Sequence, residues 1–201
     1  MARLAVLASG SGTNFQAIAE RIEADGRHEL ACLICDKPGA YVIERAFKLG
    51  FPAFLVSYKG RDRATAEAVI DERLDEVRAV FIALAGFMRI LSPELTRAWK
   101  GRMVNVHPAL LPKYPGTHAI ERSFESGDSE LGITIHWVDE GMDTGEIILQ
   151  KPMARIPGMS LEAAEAGIHA LEHRWYPEVI TDLLDRLPRP RTKRSQGATS
   201  A

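Results

Sequence analysis

Asn105 and His107 stand two positions apart in Asn105-Val106-His107-Pro108, at the end of a short apolar run, Met103–His107. If that run is a strand, both side chains project from one face. An amide N–H and an imidazolium at the carboxyl end of a strand in an α/β sheet can hydrogen-bond a developing oxyanion. Neither is a nucleophile suited to acyl chemistry, and the chain has no Gly-x-Ser-x-Gly elbow to supply one. The chemistry indicated is direct transfer between two bound substrates. The same pair is equally compatible with a polar strand end satisfied by loop backbone, the commoner case.

A second constellation is Ser9-Gly10-Ser11-Gly12-Thr13-Asn14, which leaves an apolar run and enters a helical pattern. Glycines let backbone approach a ligand, and a helix start offers N–H groups to an anion. A dinucleotide fingerprint needs glycine where Phe15 stands, and no Lys follows as in a triphosphate loop. A phosphate monoester therefore fits better than NAD or ATP. The competing reading, a tight turn with Thr13 or Asn14 as a helix cap, weighs about the same.

Asp143 lies in Gly141-Met142-Asp143-Thr144-Gly145. A lone loop Asp is usually a turn former. It gains a chemical role only if the fold carries it to His107, where its charge would raise the imidazole pKa. His107, His118, His136 and Asp143 make a weak metal set, because their spacings match no ligand motif. Cys32 and Cys35 flank Leu33-Ile34 inside the apolar run Leu30–Cys35. Positions three apart on a strand face opposite sides, and no second ligand pair completes a zinc site, so both are expected as reduced core thiols in a cytosolic protein.

Elements that could position these groups follow from apolar periodicity. Strands are expected over Leu4–Ala8, Leu30–Cys35, Ala53–Val56, Ala79–Ala85 and Met103–His107. Between them run helices that carry Phe15, Ile18, Ala19 and Ile22, then Ala40–Leu49, then Arg63–Val77, with Ala66, Val69, Ile70, Leu74 and Val77 on one face. Ser92-Pro93-Glu94 opens another helix. After a Pro-rich loop, His107–Gly116, come a short helix near His118–Ser126 and a strand pair, Gly132–Val138 and Glu146–Met153. Leu161–Leu184 is helical, and Pro177 is expected to kink or divide it. The fold class is α/β: a Rossmann-like, mostly parallel sheet with helices on both faces, ending in an antiparallel strand pair and a long C-terminal helical stretch.

At 201 residues, 46% hydrophobic and 26% charged, the chain matches one globular domain. The domain is placed at 1–186, followed by a basic, disordered tail at 187–201. The tail's positive charge begins at Arg186 and runs through Arg189, Arg191, Lys193 and Arg194 with no acid. With a net charge of −2, the chain as a whole is no nucleic-acid binder by electrostatics. The longest uncharged apolar run, Ala79–Met88, is half of what a membrane helix needs, and the N-terminus is too short for a signal peptide.

Four motifs in register, Ser9–Asn14, Ala85–Pro93, Asn105–Gly116 and Asp143–Gln150, resemble the phosphoribosylglycinamide formyltransferase family, from the first strand to about Ile180. The resemblance implies formyl transfer from 10-formyltetrahydrofolate, as co-substrate, to the amine of glycinamide ribonucleotide in purine synthesis. It assigns Asn105, His107 and Asp143 to catalysis, with Asn105 and protonated His107 facing the oxyanion. Gly12, Thr13 and Asn14 would hold the ribonucleotide phosphate, and Glu172 would touch the same substrate. Met88, Arg89, Ile90 and Leu91, with Asn105, would line the folate, and Arg63 its glutamate tail. Thr13, Ala109 and Trp137 depart from the residues usual in the family. The implied partners are small molecules only, with no metal, nucleic acid or membrane, for a cytoplasmic monomer or homodimer. Two related activities compete with this reading, and the first of them shares the catalytic trio. A formyltetrahydrofolate hydrolase is expected to carry an added N-terminal domain, and a transfer-RNA formyltransferase a larger C-terminal one. A non-catalytic phosphate-ligand sensor is the alternative from another class.

Overall fold

Leu4, Val6 and Ala8 pack to one side of the first strand while Ala5 and Leu7 pack to the other, so this strand is buried on both faces. That alternation extends across a seven-stranded sheet in the order β3-β2-β1-β4-β5-β6-β7. The computed structural model describes residues 1–187; the expected tail, from residue 188 onward, lies outside the described residues. The strands are β1 (Arg3–Ala8), β2 (Glu29–Cys35), β3 (Ala53–Leu55), β4 (Phe81–Leu84), β5 (Met103–His107), β6 (Glu130–Trp137) and β7 (Ile147–Ala154). β1 to β5 run parallel, whereas β6 and β7 are antiparallel additions at one edge. The order reverses between β1 and β4. In open α/β sheets, ligands bind outside the carboxyl ends of strands at such a switch point.

Helices α1 (Thr13–Asp25), α2 (Tyr41–Lys48) and α6 (Leu161–Arg186) cover one face through Phe15, Ile18, Val42, Ala46, Ile168 and Ile180. On the other face, α3 (Arg63–Glu76) and α4 (Pro93–Ala98) supply Ile70, Leu74 and Leu95. The short α5 (Ala119–Glu125) precedes β6. Cys32 belongs to one core and Cys35 to the other, both as free buried thiols, and burial pushes Cys32 up to about 12.

One expectation needs correction and another an addition. Pro177 does not divide the last helix: α6 is continuous over 26 residues. Proline removes one helical hydrogen bond, but tertiary anchoring spans the gap, since the buried Tyr176 hydroxyl reaches the carbonyls of Leu84 and Val104 at 2.9 and 3.0 Å. On α3, Glu67 is buried beside Ala66, Ile70 and Leu74, whereas Val69 and Val77 are only partly covered. Its carboxylate accepts the Ser92 N–H at 2.9 Å, which satisfies the charge inside the fold.

Candidate active site

The antiparallel register decides what stands beside the end of β5. Asn105 lies opposite His136 and His107 opposite Thr134, and directly paired residues share a face of the sheet. Asn105 Nδ2 donates to His136 Nε2 at 3.2 Å, while His136 Nδ1 lies 2.8 Å from the Trp137 carbonyl and donates to it. These two contacts engage both ring nitrogens of His136. The second N–H of the Asn105 amide is then the donor left for a ligand.

Asp143 reaches this cluster from the loop between β6 and β7. Its Oδ2 lies 3.3 Å from His107 Nδ1 and accepts the Gly116 N–H at 2.7 Å. Its Oδ1 is 3.6 Å from His136 Nε2. The turn-forming role falls instead to Asp139, whose Oδ1 accepts from Gly141 N and Thr144 Oγ1 at 3.0 and 2.8 Å. Gly145 lets the loop close, because a Cβ there would overlap the Trp137 carbonyl. Loop closure thus bridges the 36 positions that separate Asp143 from His107.

His107 is 4% exposed, and its Nε2 sits 2.8 Å from the Tyr114 carbonyl. Both ring nitrogens therefore face acceptors. Burial nevertheless lowers the His107 pKa below the ordinary imidazole value; Asp143 and the Tyr114 carbonyl only partly oppose it. This overturns the expectation of a raised pKa, because desolvation outweighs the carboxylate. Burial also opposes ionisation of Asp143, yet His136, the Gly116 N–H and the charge of His107 hold its carboxyl below the usual range. The resting pair is a neutral imidazole beside a carboxylate. It is set to receive a proton rather than to lend one.

At the start of α1, Gly12 is the N-cap, with φ 78° and no side-chain cap. Neither Thr13 nor Asn14 acts as a cap, which removes that alternative. The first helical bond runs from Gln16 N to Gly12 O at 3.0 Å, so the N–H groups of Thr13, Asn14 and Phe15 precede it. Asn14 Nδ2 instead donates to the buried Glu172 at 3.0 Å, and His169 Nδ1 meets the same oxygen at 2.9 Å. Glu172 thereby raises the His169 pKa. A Cβ on Gly12 would lie 2.8 Å from Val42 Cα, so this glycine is demanded by helix α2 against the loop as much as by any ligand.

The segment after β4 is clamped from three sides. Met88 N donates to Ser9 Oγ at 2.8 Å, Arg89 Nε pairs with buried Asp36 at 2.6 Å, and Ser92 N is held by Glu67. Met88 and Ile90 are 68% and 56% exposed, but Leu91 is turned into the core. Any ligand contact from Leu91 would use its main chain. Arg89 lies over the Tyr58 ring at 4.8 Å, and both Arg89 and Arg63 act on the Tyr58 hydroxyl, which burial pushes up to about 12. Exposed apolar side chains on a clamped segment suit the face of a ring system.

The set His107, His118, His136 and Asp143 is not assembled as one cluster, since His118 is solvent-facing and paired with Glu121 at 3.3 Å. His136 joins the site through strand register alone, and the Tyr114 carbonyl joins it through main chain. No residue-type pattern announces either.

Residues 2–180 match the formyl transferase family profile. Phosphoribosylglycinamide formyltransferase of Bacillus subtilis (strain 168) is 46% identical over 188 residues, covering 92% of this chain and 95% of that protein. Glycinamide ribonucleotide transformylase 1 from Geobacillus kaustophilus superposes with a TM-score of 0.87 at 48% identity, over 92% of this chain and 99% of that one. Phosphoribosylglycinamide formyltransferase from Streptococcus pneumoniae TIGR4 gives 0.85 at 42% identity, over 91% and 99%.

Proposed function

Since the chain belongs to the formyl transferase family, we propose that it moves the formyl group of 10-formyltetrahydrofolate onto the amine of 5-phosphoribosylglycinamide, a step of purine biosynthesis in the cytoplasm. The observation that carries the catalytic reading is the convergence of Asn105, His107 and Asp143 beside the switch point, with Asp143 Oδ2 3.3 Å from His107 Nδ1. The ribonucleotide phosphate sits on the first-turn N–H groups of α1 at Gly12, Thr13 and Asn14, where an anion complements the helix. Glu172 faces the same substrate. The folate lies along Met88, Arg89, Ile90 and Leu91, with Arg63 toward its anionic tail.

The amine attacks the formyl carbon as a neutral nucleophile, and the free N–H of Asn105 donates to the oxyanion that forms. The proton released by the amine passes by way of the Asp143 carboxylate to Nδ1 of the neutral His107, and Asp143 stabilises the resulting imidazolium. That positive charge lies beside the new oxyanion. The proton then leaves with the folate N10 as the carbon–nitrogen bond breaks. One proton is taken up and one is returned, so the enzyme ends as it began.

The test is formyl transfer by the purified full chain, with the ribonucleotide, water or transfer RNA as acceptor. Product with the ribonucleotide alone supports the reading. Equal loss of formyl groups to water makes the chain a hydrolase, and binding without turnover makes it a sensor.

A further inference from the structure

The turn Tyr114-Pro115-Gly116 touches both members of the His107–Asp143 pair with its main chain. The Tyr114 carbonyl takes His107 Nε2 at 2.8 Å, and the Gly116 N–H donates to Asp143 Oδ2 at 2.7 Å. Such a bracket is only as well placed as the turn that carries it. Tyr114 itself has φ 58°, a conformation that residues with a Cβ hold where their surroundings enforce it.

Helix α5 and the loop that follows it supply the enforcing contacts. Tyr114 OH donates to Asp128 Oδ2 at 2.8 Å, and Lys113 Nζ reaches the same oxygen at 2.9 Å. Arg122 donates to the Pro115 carbonyl at 2.7 Å and lies over the Tyr114 ring at 5.9 Å. We propose that Asp128, acting through the Tyr114 phenol, is a positioning residue for formyl transfer that holds His107 and Asp143 in register. Its bonds go to Lys113 and Tyr114 rather than to the pair itself. The inference rests on the proposed roles of His107 and Asp143.

Hydrogen bonds from Lys113 and Tyr114 keep the Asp128 carboxyl below the usual range, so the anchor is ionised at neutral pH. Of the titratable groups that act on His107, Asp143 and Glu172 of α6 raise its pKa and His136 of β6 lowers it, and the Tyr114 carbonyl adds to the raising side. Loosening the bracket removes one contribution that raises the His107 pKa and leaves the others in place.

The experiment compares Tyr114→Phe, Asp128→Ala and Asp128→Asn in the full chain by steady-state kinetics, pH–rate profiles and NMR titration of His107. Tyr114→Phe deletes a single oxygen, so it reads the proposal even if an Asp128 variant folds poorly. For Tyr114→Phe and Asp128→Ala, kcat should fall roughly tenfold, the scale of one lost hydrogen bond to a charged group. Both KM values should stay within about twofold, and His107 should titrate lower than in the parent. Asn keeps an acceptor, so Asp128→Asn should recover most of the rate. Combining Tyr114→Phe with Asp128→Ala should be no slower than the slower single variant, because the two act as one unit. Unchanged kcat and His107 titration would overturn the proposal, as would a lower melting temperature with an unmoved titration. The NMR arm needs no substrate. If the parent chain transfers no formyl group, the functional reading fails while the bracket is still decided by the titration.

Discussion

Replacing Asp143 with Asn removes one charge from the site and almost nothing else. An amide oxygen in place of Oδ2 still accepts the Gly116 N–H and still faces His107 Nδ1, while its NH2 points toward His136 Nε2. Two unit charges 3.3 Å apart interact by about 5 kcal/mol at an effective dielectric near 20. The amide dipole retains part of this, so about 3–4 kcal/mol of support for the imidazolium is lost. Turnover should therefore drop roughly 10²–10³-fold, with both KM values nearly unchanged. The pH–rate profile carries a second signature. His107 must start neutral, so its protonation sets an acid limb, and loss of the carboxylate moves that limb to lower pH. Stability follows the same sign. The folded His107 pKa lies below the unfolded value of about 6.5. Its contribution is intact above that pH and is lost as pH falls through the folded value, which lies lower still in the variant. Stopped-flow turnover with NMR titration of His107 measures all of this. Near-normal turnover with an unmoved His107 would mean that Asp143 does not support the imidazolium.

Asn105→Ala should reduce kcat by about 10²–10³-fold, the cost of one oxyanion donor, and leave ribonucleotide affinity much less affected; a variant that lost only affinity would reassign Asn105 to substrate binding. Gly12→Ala should lower stability by about 1–3 kcal/mol, through its positive φ and the contact with Val42. Gly10→Ala, with open space around its Cβ, should stay within about 0.5 kcal/mol in the same thermal unfolding assay. An undiminished melting temperature for Gly12→Ala contradicts that packing argument. Glu172→Gln should return His169 to an ordinary titration. The parent's extra stability is present below about pH 6.5 and fades as pH rises through the raised His169 value; partial exposure keeps it below about 1 kcal/mol. A variant with the same pH dependence as the parent removes the ion pair from the account.

The layered fold is legible because apolar runs buried on both faces, such as Leu30–Cys35, alternate with helical patterns, and that alternation has one common architectural solution. The placement of Asn105 and His107 on one face is equally legible, since it needs only strand periodicity. His136 is not, because the β5–β6 register depends on how the long segment between those strands folds. Main-chain groups such as the Tyr114 carbonyl have no residue type to recognise. The direction of the His107 pKa shift is hidden for a different reason: spacing can suggest a neighbouring carboxylate but not the burial that outweighs it. Pro177 likewise looks like a break until Tyr176 is seen fastened to Leu84 and Val104.

Direct transfer is tested most closely by a single turnover with folate carrying an isotopically labelled formyl group. Enzyme in excess is mixed first with that folate alone and then with 5-phosphoribosylglycinamide. The label should stay on the folate until the ribonucleotide arrives and then move to its amine without ever being trapped on protein. Label recovered on the quenched enzyme, or released as formate before the second substrate is added, would contradict direct transfer.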